Sequence, residues 1–199
     1  MNEPTTSRPG ARHGDAGTTL IELLVSMLIF SVVMAGVYTV LITVWRQTSQ
    51  QTARADAVGE ARLALAEIDR QVRSGNVLYD TTADPLSMLV YTQANNDRRC
   101  MQWQVASGVL RSRSWAPPPP STPPAASPWA VVARNVVNTT STPAFTLQTA
   151  AYGSRLVDIS LLVEPTRGSG PPIAVTSSLS GRNTAYGYDQ GVCGPAPTP

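Results

Sequence analysis

The sequence predicts an α+β protein, in which one long helix near the N-terminus is followed by an antiparallel β-sheet that packs against its second half. Three observations support this fold class. An apolar run occupies residues 23–44, an amphipathic helical pattern continues to about residue 74, and beyond it apolar and polar residues alternate with a period of two. The 199 residues are enough for one ordinary domain and an additional element.

The apolar run from Leu23 to Val44 contains no Asp, Glu, Arg or Lys. At a rise of about 1.5 Å per residue, a helix of this length covers about 33 Å, the thickness of the hydrocarbon core of a bilayer. We therefore predict a transmembrane helix over residues 18–45, which the resemblance described below also implies as the helix of a filament core. A buried helix of a globular protein would normally show one polar face, and a secretory signal, here cut near Ala35, would usually have a shorter apolar stretch.

Ahead of the span, residues 1–17 form a polar leader that carries Arg8 and Arg12, which predicts a cytoplasmic N-terminus. One acid, Glu22, stands at the start of the apolar run. A carboxylate near the centre of a membrane helix costs roughly 2.5 to 3.5 kcal/mol on insertion scales. Glu22 therefore either lies near the lipid headgroups or is kept for a partner.

The junction over residues 14–27 reads GDAGTTLIELLVSM. It resembles the N-terminal signature of type IV prepilins and pseudopilins, in which a glycine ends a short basic leader and Thr-Leu-Ile-Glu opens an apolar helix. The resemblance implies that prepilin peptidase cleaves between Gly17 and Thr18 and methylates the new amine of Thr18, where the family usually has Phe. It also implies that Glu22 serves subunit assembly by pairing with the Thr18 amine of a neighbouring subunit.

The same resemblance implies a structural subunit, with its N-terminus inside the cell, that leaves the cytoplasmic membrane for an extracytoplasmic pilus or pseudopilus. The implied partners are prepilin peptidase, other pilin or pseudopilin subunits, an inner-membrane assembly platform, and membrane lipid before assembly. A weaker similarity over Cys100–Arg113 and Leu156–Asn183 favours a minor pilin or a J-type pseudopilin of type II secretion. The alternative is a single-span membrane protein that displays an extracytoplasmic binding domain and never polymerises.

The helix is expected to continue as an amphipathic segment over residues 46–75. Apolar residues three and four positions apart form one stripe, which would pack on the sheet or serve as a coiled-coil seam. They are Val58, Ala61, Leu65, Ile68 and Val72. Asp69 and Arg73 are spaced for an i, i+4 ion pair, and Gly75 is expected to end the helix in the left-handed conformation.

Residues 76–199 are predicted to form the β-rich head. The segments with strand-like alternation are 86–93, 100–106, 109–115, 130–137, 145–148, 156–163 and 173–179. Turns at residues 95–97 and at Ser107-Gly108 join the earlier strands as hairpins. A Pro-rich loop at residues 116–128 separates them from the later strands as an exposed extended linker.

The chain has two cysteines, Cys100 in a predicted strand and Cys193 near the C-terminus. In a head outside the cytoplasm, a disulfide between them is expected. It would close a loop of about 94 residues and contribute roughly 4 to 5 kcal/mol in the chain-entropy model. Two unpaired thiols are the alternative.

Composition argues against enzyme chemistry. All 15 basic residues are arginines, so a phosphate-loop lysine and a Schiff-base lysine are excluded. The single histidine, His13, lies in the leader, so a processed protein has no histidine for a catalytic triad or a metal site. We therefore expect no enzyme activity, no cofactor and no metal.

Nucleic acid is a further possible partner. Arginines close to Trp103 and Trp115 in the predicted meander could hold a strand by charge and stacking. These arginines are Arg98, Arg99, Arg111 and Arg113. The net charge of +2 is too small to imply wrapping by nucleic acid, and solvated strand edges are the simpler interpretation.

Overall fold

The computed structural model describes residues 19–78, 84–94, 97–117, 125–148, 156–165, 170–181 and 191–194. The chain divides into two compact units, residues 1–48 and 49–199. The long helix α1 spans Leu20–Ser74. The strands that follow are β1 (Gly75–Leu78), β2 (Ser87–Ala94), β3 (Asp97–Ala106), β4 (Val109–Trp115), β5 (Ala130–Arg134), β6 (Phe145–Gln148), β7 (Leu156–Val163) and β8 (Ile173–Ser180).

The described part of the first unit is helical from Leu20 onward. The carbonyl of Thr19 accepts hydrogen bonds from the backbone N–H groups of Glu22 and Leu23, at 3.0 and 3.2 Å, so Thr19 lies at the N-cap position. Hydroxyl groups within the apolar run bond to the preceding turn of their own helix: Ser31 to the carbonyl of Met27, and Thr39 to that of Ala35. These polar groups therefore need no partner from outside the helix.

In the second unit, α1 buries one face against the sheets. The predicted stripe is confirmed from Ala61 onward, whereas Val58 is only half-buried. The buried residues of α1 are Ala53, Ala61, Ala64, Leu65, Ile68 and Val72, of which Ala53 and Ala64 were not predicted. The predicted ion pair is also present, since Arg73 Nε lies 2.7 Å from Asp69 Oδ1.

The strands form two antiparallel sheets. The first sheet has the order β1-β2-β3-β4-β5 and the second the order β6-β7-β8. The predicted antiparallel arrangement is confirmed, but it comprises two sheets, and the division between them falls after β5 and not at the Pro-rich loop, because β5 pairs with β4. Two hydrogen bonds at the base of the loop explain this pairing. The Ser127 N–H donates to the Ser114 carbonyl at 2.8 Å, and the Ser114 N–H donates to the Ser127 side-chain Oγ at 3.0 Å.

The segment after β5 connects the two sheets. The predicted strand 130–137 ends early, at Arg134, because Asn135 takes a φ of 55° and turns the chain. Val136 then bridges to Val163 of β7. The side-chain amide of Asn138 completes the connection by donating to the Ser160 carbonyl at 2.8 Å.

The prediction that Gly75 ends the helix in the left-handed conformation was wrong. Gly75 does not adopt a positive φ and is the first residue of β1, a strand that was not predicted from the sequence. It pairs with Thr92 of β2. A Cβ at this position would lie 2.7 Å from Val90 Cγ1 and 2.9 Å from the Val72 carbonyl oxygen. Gly75 is therefore needed for a close approach of backbone to side chain, not for a left-handed turn.

One continuous core lies between the buried face of α1 and the inner faces of both sheets. Its largest members include Trp103, Phe145, Ile68, Met88 and Leu110. Strand β7 shows the predicted alternation, since every second residue from Val157 to Val163 is buried. A smaller cluster on the outer face of the first sheet contains Tyr91, Cys100, Trp115 and Cys193.

Candidate functional site

The N-terminal motif is described from Thr19 onward, so the predicted processing residues Gly17 and Thr18 lie outside the described residues. Glu22 occupies the first turn of α1, where a carboxylate interacts favourably with the helix dipole. Its side chain is exposed. Within the described part of the chain, its carboxylate has no hydrogen bond or ion pair, so a cation on another molecule can reach it.

The apolar run in α1 is exposed over its whole length. The helix contains an 18-residue window of mean hydropathy 2.4, none of which is buried, and it is long and apolar enough to cross a membrane. The fractional exposure of Ile21, Leu28 and Val32 is 67% in each case. A continuous apolar surface of this extent requires lipid or other apolar helices around it.

A shallow apolar groove runs along one face of this helix at Gly36. It is lined by Val33, Gly36, Val37, Val40, Leu41 and Val44. Each of these residues is three or four positions from another in the set, so all of them lie on a single face of the helix. A Cβ at Gly36 would meet no atom within 4 Å. The missing side chain leaves a notch, and small residues at such positions allow a second membrane helix to approach closely.

The expected disulfide is present and links Cys100 of β3 to Cys193, with their Cα atoms 5.8 Å apart. Both cysteines are fully buried. The Trp115 indole Nε1 donates to the Cys193 carbonyl at 3.2 Å. The disulfide and this bond attach the segment 191–194 to the outer face of the first sheet.

The arginines predicted for nucleic acid do not form one surface with Trp103. The Trp103 side chain is 1% exposed and packs in the core, on the opposite face from Arg113. Arg99 forms an exposed ion pair with Asp97 at 2.7 Å, and Arg98 is exposed at the start of β3. Among the described residues, Trp103 therefore shares no surface with these arginines, whereas the Arg113 guanidinium carbon lies 5.9 Å from the centre of the buried Trp115 ring.

Arg111 and Arg113 do lie together, on the outer face of β4. Their guanidinium carbons lie 4.2 and 4.3 Å from the centre of the Trp129 ring. Arg113 is buried, and its Nε donates to Gln102 Oε1 at 2.8 Å. Burial lowers the pKa of Arg113, and repulsion by the neighbouring Arg111 lowers it further.

Sequence reasoning missed Gln102, Gln104 and Trp129 as members of this cluster. The two glutamines could have been found from the Ser107-Gly108 turn, because a two-residue hairpin loop sets the register of its strands. That register places Gln102 opposite Arg113 and Gln104 opposite Arg111. Trp129 follows the Pro-rich loop, and no local pattern assigns it to β4.

Among the described residues, no group of three or more His, Cys, Asp or Glu side chains could hold a metal ion. The notable features of the described chain are therefore the exposed helix with its terminal carboxylate and the arginine cluster on the head. The first is long and apolar enough to cross a membrane, and the second places two guanidinium groups over one indole ring.

Comparison with known protein families identifies the N-terminal segment. Residues 12–38 match the prokaryotic N-terminal methylation motif. This range contains the Gly17–Thr18 junction, Glu22 and the start of the groove around Gly36. A comparison with curated proteins gave no match. Residues 12–38 thus carry the prepilin-type signature, and this signature leads directly into the exposed apolar helix.

Proposed function

We propose that the protein is a structural subunit of the type IV pilin or pseudopilin kind, and not an enzyme. The single observation that carries the proposal is the prepilin-type signature at residues 12–38, placed at the start of an exposed apolar helix. Prepilin peptidase would cut between Gly17 and Thr18 and methylate the Thr18 amine. The subunit would then leave the cytoplasmic membrane for a filament outside the cytoplasm through an inner-membrane assembly platform.

The exposed helix supports assembly because its apolar surface needs an apolar environment before and after extraction. Lipid supplies that environment in the membrane, and neighbouring helices supply it in a filament. The notch at Gly36 lets such a helix approach closely without removing any side-chain contact in the subunit itself. We assign this groove to helix packing between subunits.

Glu22 supports the same proposal through its charge. An exposed carboxylate at the end of an apolar helix gains a partner when the Thr18 amine of an adjacent subunit lies beside it. In a medium of low dielectric constant, this pair stabilises the aligned arrangement, and leaving either charge alone costs several kcal/mol. Glu22 would therefore set the register of one subunit against the next.

We further place the protein among minor subunits that start or tip a filament, as a minor pilin or a type II secretion pseudopilin. The large head, the Pro-rich loop at residues 116–128 and the threonine at the mature N-terminus support a subunit of low abundance. Which process the filament serves, among adhesion, motility, DNA uptake and secretion, depends on its partner subunits.

The proposal is tested by expressing Glu22→Ala in cells that make the filament. We expect normal insertion into the membrane fraction but at least about tenfold less protein in sheared filaments, because the loss of the pair costs more than about 1.4 kcal/mol. Glu67→Ala, which removes a half-buried carboxylate from the second half of α1, is the matched control and should assemble normally. Equal incorporation of Glu22→Ala and wild type would refute the role of Glu22.

A second measurement separates assembly from simple membrane anchoring. A Gly36→Cys variant should crosslink to a second cysteine introduced on the α1 helix of another subunit. This is expected because the proposal places the groove around Gly36 against that helix. Gln50→Cys, on an exposed position of the same helix beyond the apolar run, serves as the comparison. A single-span protein that never polymerises would give no crosslink and no protein in sheared filaments.

A further inference from the structure

The outer face of the first sheet carries two arginines that pack against one indole. Arg111 and Arg113 are two residues apart on β4, so their side chains project from the same face. Both guanidinium groups lie over the Trp129 ring, at 4.2 and 4.3 Å from its centre. This arrangement concentrates two positive charges within a small area of the head.

A neutral amide is the hydrogen-bond acceptor that the described chain supplies to Arg111. Arg111 donates from Nε and Nη2 to a single atom, Gln104 Oε1, at 3.2 and 2.6 Å. The ion pairs found within the described ranges join Glu67 to Arg70, Asp69 to Arg73, and Asp97 to Arg99. Arg111 belongs to none of them, so no carboxylate in the described part of the chain neutralises its charge.

The cluster also contains a buried donor without an acceptor among the described residues. The indole Nε1 of Trp129 is buried and has no hydrogen-bond partner among the described residues. Arg111, by contrast, is only half-buried, so the outer side of its guanidinium remains accessible to solvent. Buried or half-buried donors and cations of this kind are usually compensated by an acceptor or an anion.

We propose that this cluster is a binding site for a single carboxylate group of a ligand, with Arg111 as the contacting residue. A planar guanidinium presents two parallel N–H groups that match the two oxygens of a carboxylate. Trp129 and Gln104 hold Arg111 in position, and the Arg113 guanidinium lies beside it on the same indole ring. The site is independent of filament assembly, because it lies on the head and uses no residue of the apolar helix.

A carboxylate fits the cluster better than a nucleic-acid strand does. Stacking of a base requires an open aromatic face, whereas both guanidinium groups already cover the Trp129 ring. Arg113 is 7% exposed, which leaves Arg111 as the accessible cation of the pair. One small anionic group, a single carboxylate, can therefore reach Arg111.

The test is a titration of the full-length protein in detergent, with ¹⁵N labels in the tryptophan indoles and arginine side chains. Sodium acetate replaces sodium chloride at constant ionic strength, and the NMR signals of Trp129 Nε1 and Arg111 Nε are followed. We expect a saturable shift of both signals, with the indoles of Trp103 and Trp115 unaffected. The absence of a saturable shift up to about 100 mM acetate would overturn the proposal.

Variants assign the response to Arg111. Arg111→Gln should abolish the acetate response, and Arg111→Lys, which keeps the charge but loses the planar fork, should weaken it at least about tenfold. Arg98→Gln, a change at an exposed arginine outside the cluster, should leave it unchanged. An undiminished response in Arg111→Lys, or saturation by phosphate but not by acetate, would contradict a carboxylate site.

Discussion

The side chain of Glu60 on α1 accepts a hydrogen bond from the backbone N–H of Arg134 on β5, with 2.8 Å between Oε1 and the nitrogen. Arg134 is the last residue of the edge strand of the first sheet. An unpaired N–H at a sheet edge is a site where another chain can add a strand. The Glu60 carboxylate therefore attaches the helix to the sheet and caps this edge.

Replacement of Glu60 by alanine should destabilise the head, because it removes a charge-assisted hydrogen bond and frees an edge donor. We expect a loss of about 1.5 to 3 kcal/mol in the free energy of unfolding. Urea unfolding of the full chain in detergent, followed by tryptophan fluorescence, measures it. Glu60→Gln keeps an acceptor oxygen and should lose less; equal losses for both variants would show that the bond contributes nothing.

Gly75→Ala should destabilise the junction of α1 and β1. The new Cβ would lie 2.7 Å from Val90 Cγ1 and 2.9 Å from the Val72 carbonyl oxygen, and overpacking of this kind costs about 1 to 3 kcal/mol. The matched control is Gly59→Ala in the helix interior, where a Cβ meets nothing within 4 Å.

Gly59→Ala should stabilise the protein by about 0.5 to 1 kcal/mol, since alanine favours the helix over glycine. The two variants are compared by the same urea unfolding experiment. If Gly75→Ala proved as stable as wild type, the close approach at β1 would have to be less tight than the structure shows. In a double-mutant cycle, Gly75→Ala should cost less in a Val90→Ala background than in wild type, because the new Cβ no longer meets Val90 Cγ1.

Removal of the Cys100–Cys193 disulfide should lower the stability of the head. The two cysteines are separated by 93 positions, and cross-linking a loop of this size contributes about 4 to 5 kcal/mol in the chain-entropy model. We expect Cys100→Ser combined with Cys193→Ser to shift the urea midpoint by a corresponding amount. A thiol assay on unfolded, unreduced wild-type protein should find no free sulfhydryl, and detection of two would contradict the disulfide.

Glu67 predicts a small dependence of stability on pH. A hydrogen bond from Arg70, followed by one from Gln71, lowers the pKa of Glu67 below its ordinary value of 4.5. Because the folded-state pKa is lowered, the stabilisation is present above pH 4.5 and is lost as the pH falls through the folded value. The pair is largely exposed, so the effect should stay below about 1 kcal/mol.

Glu67→Gln should therefore lose less stability than wild type on acidification below pH 4.5. Urea unfolding at a series of pH values, in low salt and in 1 M salt, measures the difference. We expect the difference to shrink at high salt, because exposed ion pairs are screened. Identical acid profiles for the two proteins would show that the Glu67–Arg70 pair is not formed in solution.

Local patterns predicted much of the fold. The apolar run, the helical stripe from Ala61 to Val72 and the alternation in β7 each follow from residue spacing, and the Ser107-Gly108 turn sets the hairpin of β3 and β4. The ranges of β4, β6 and β7 agree with the predicted segments. These elements are determined by interactions between residues that are close in sequence.

What could not be predicted depends on contacts between residues distant in sequence. The pairing of β5 with β4 depends on Ser114 and Ser127 at the base of the Pro-rich loop, and the packing of Trp129 on Arg111 follows from that pairing. The role of Gly75 depends on Val90, a residue of another strand. In the N-terminal site, the sequence identified Glu22 and the Gly17–Thr18 junction, while the notch at Gly36 became clear only from the helix surface.

The central claim is that the prepilin-type signature is used, so that the mature chain begins at Thr18. The most direct test is mass spectrometry of the N-terminal peptide of the protein purified from cells with an active prepilin peptidase, with a Gly17→Leu variant as the unprocessed control. We predict that the wild-type peptide begins at Thr18 and that the variant keeps the leader. Wild-type protein that still begins at Met1 in those cells would contradict the account.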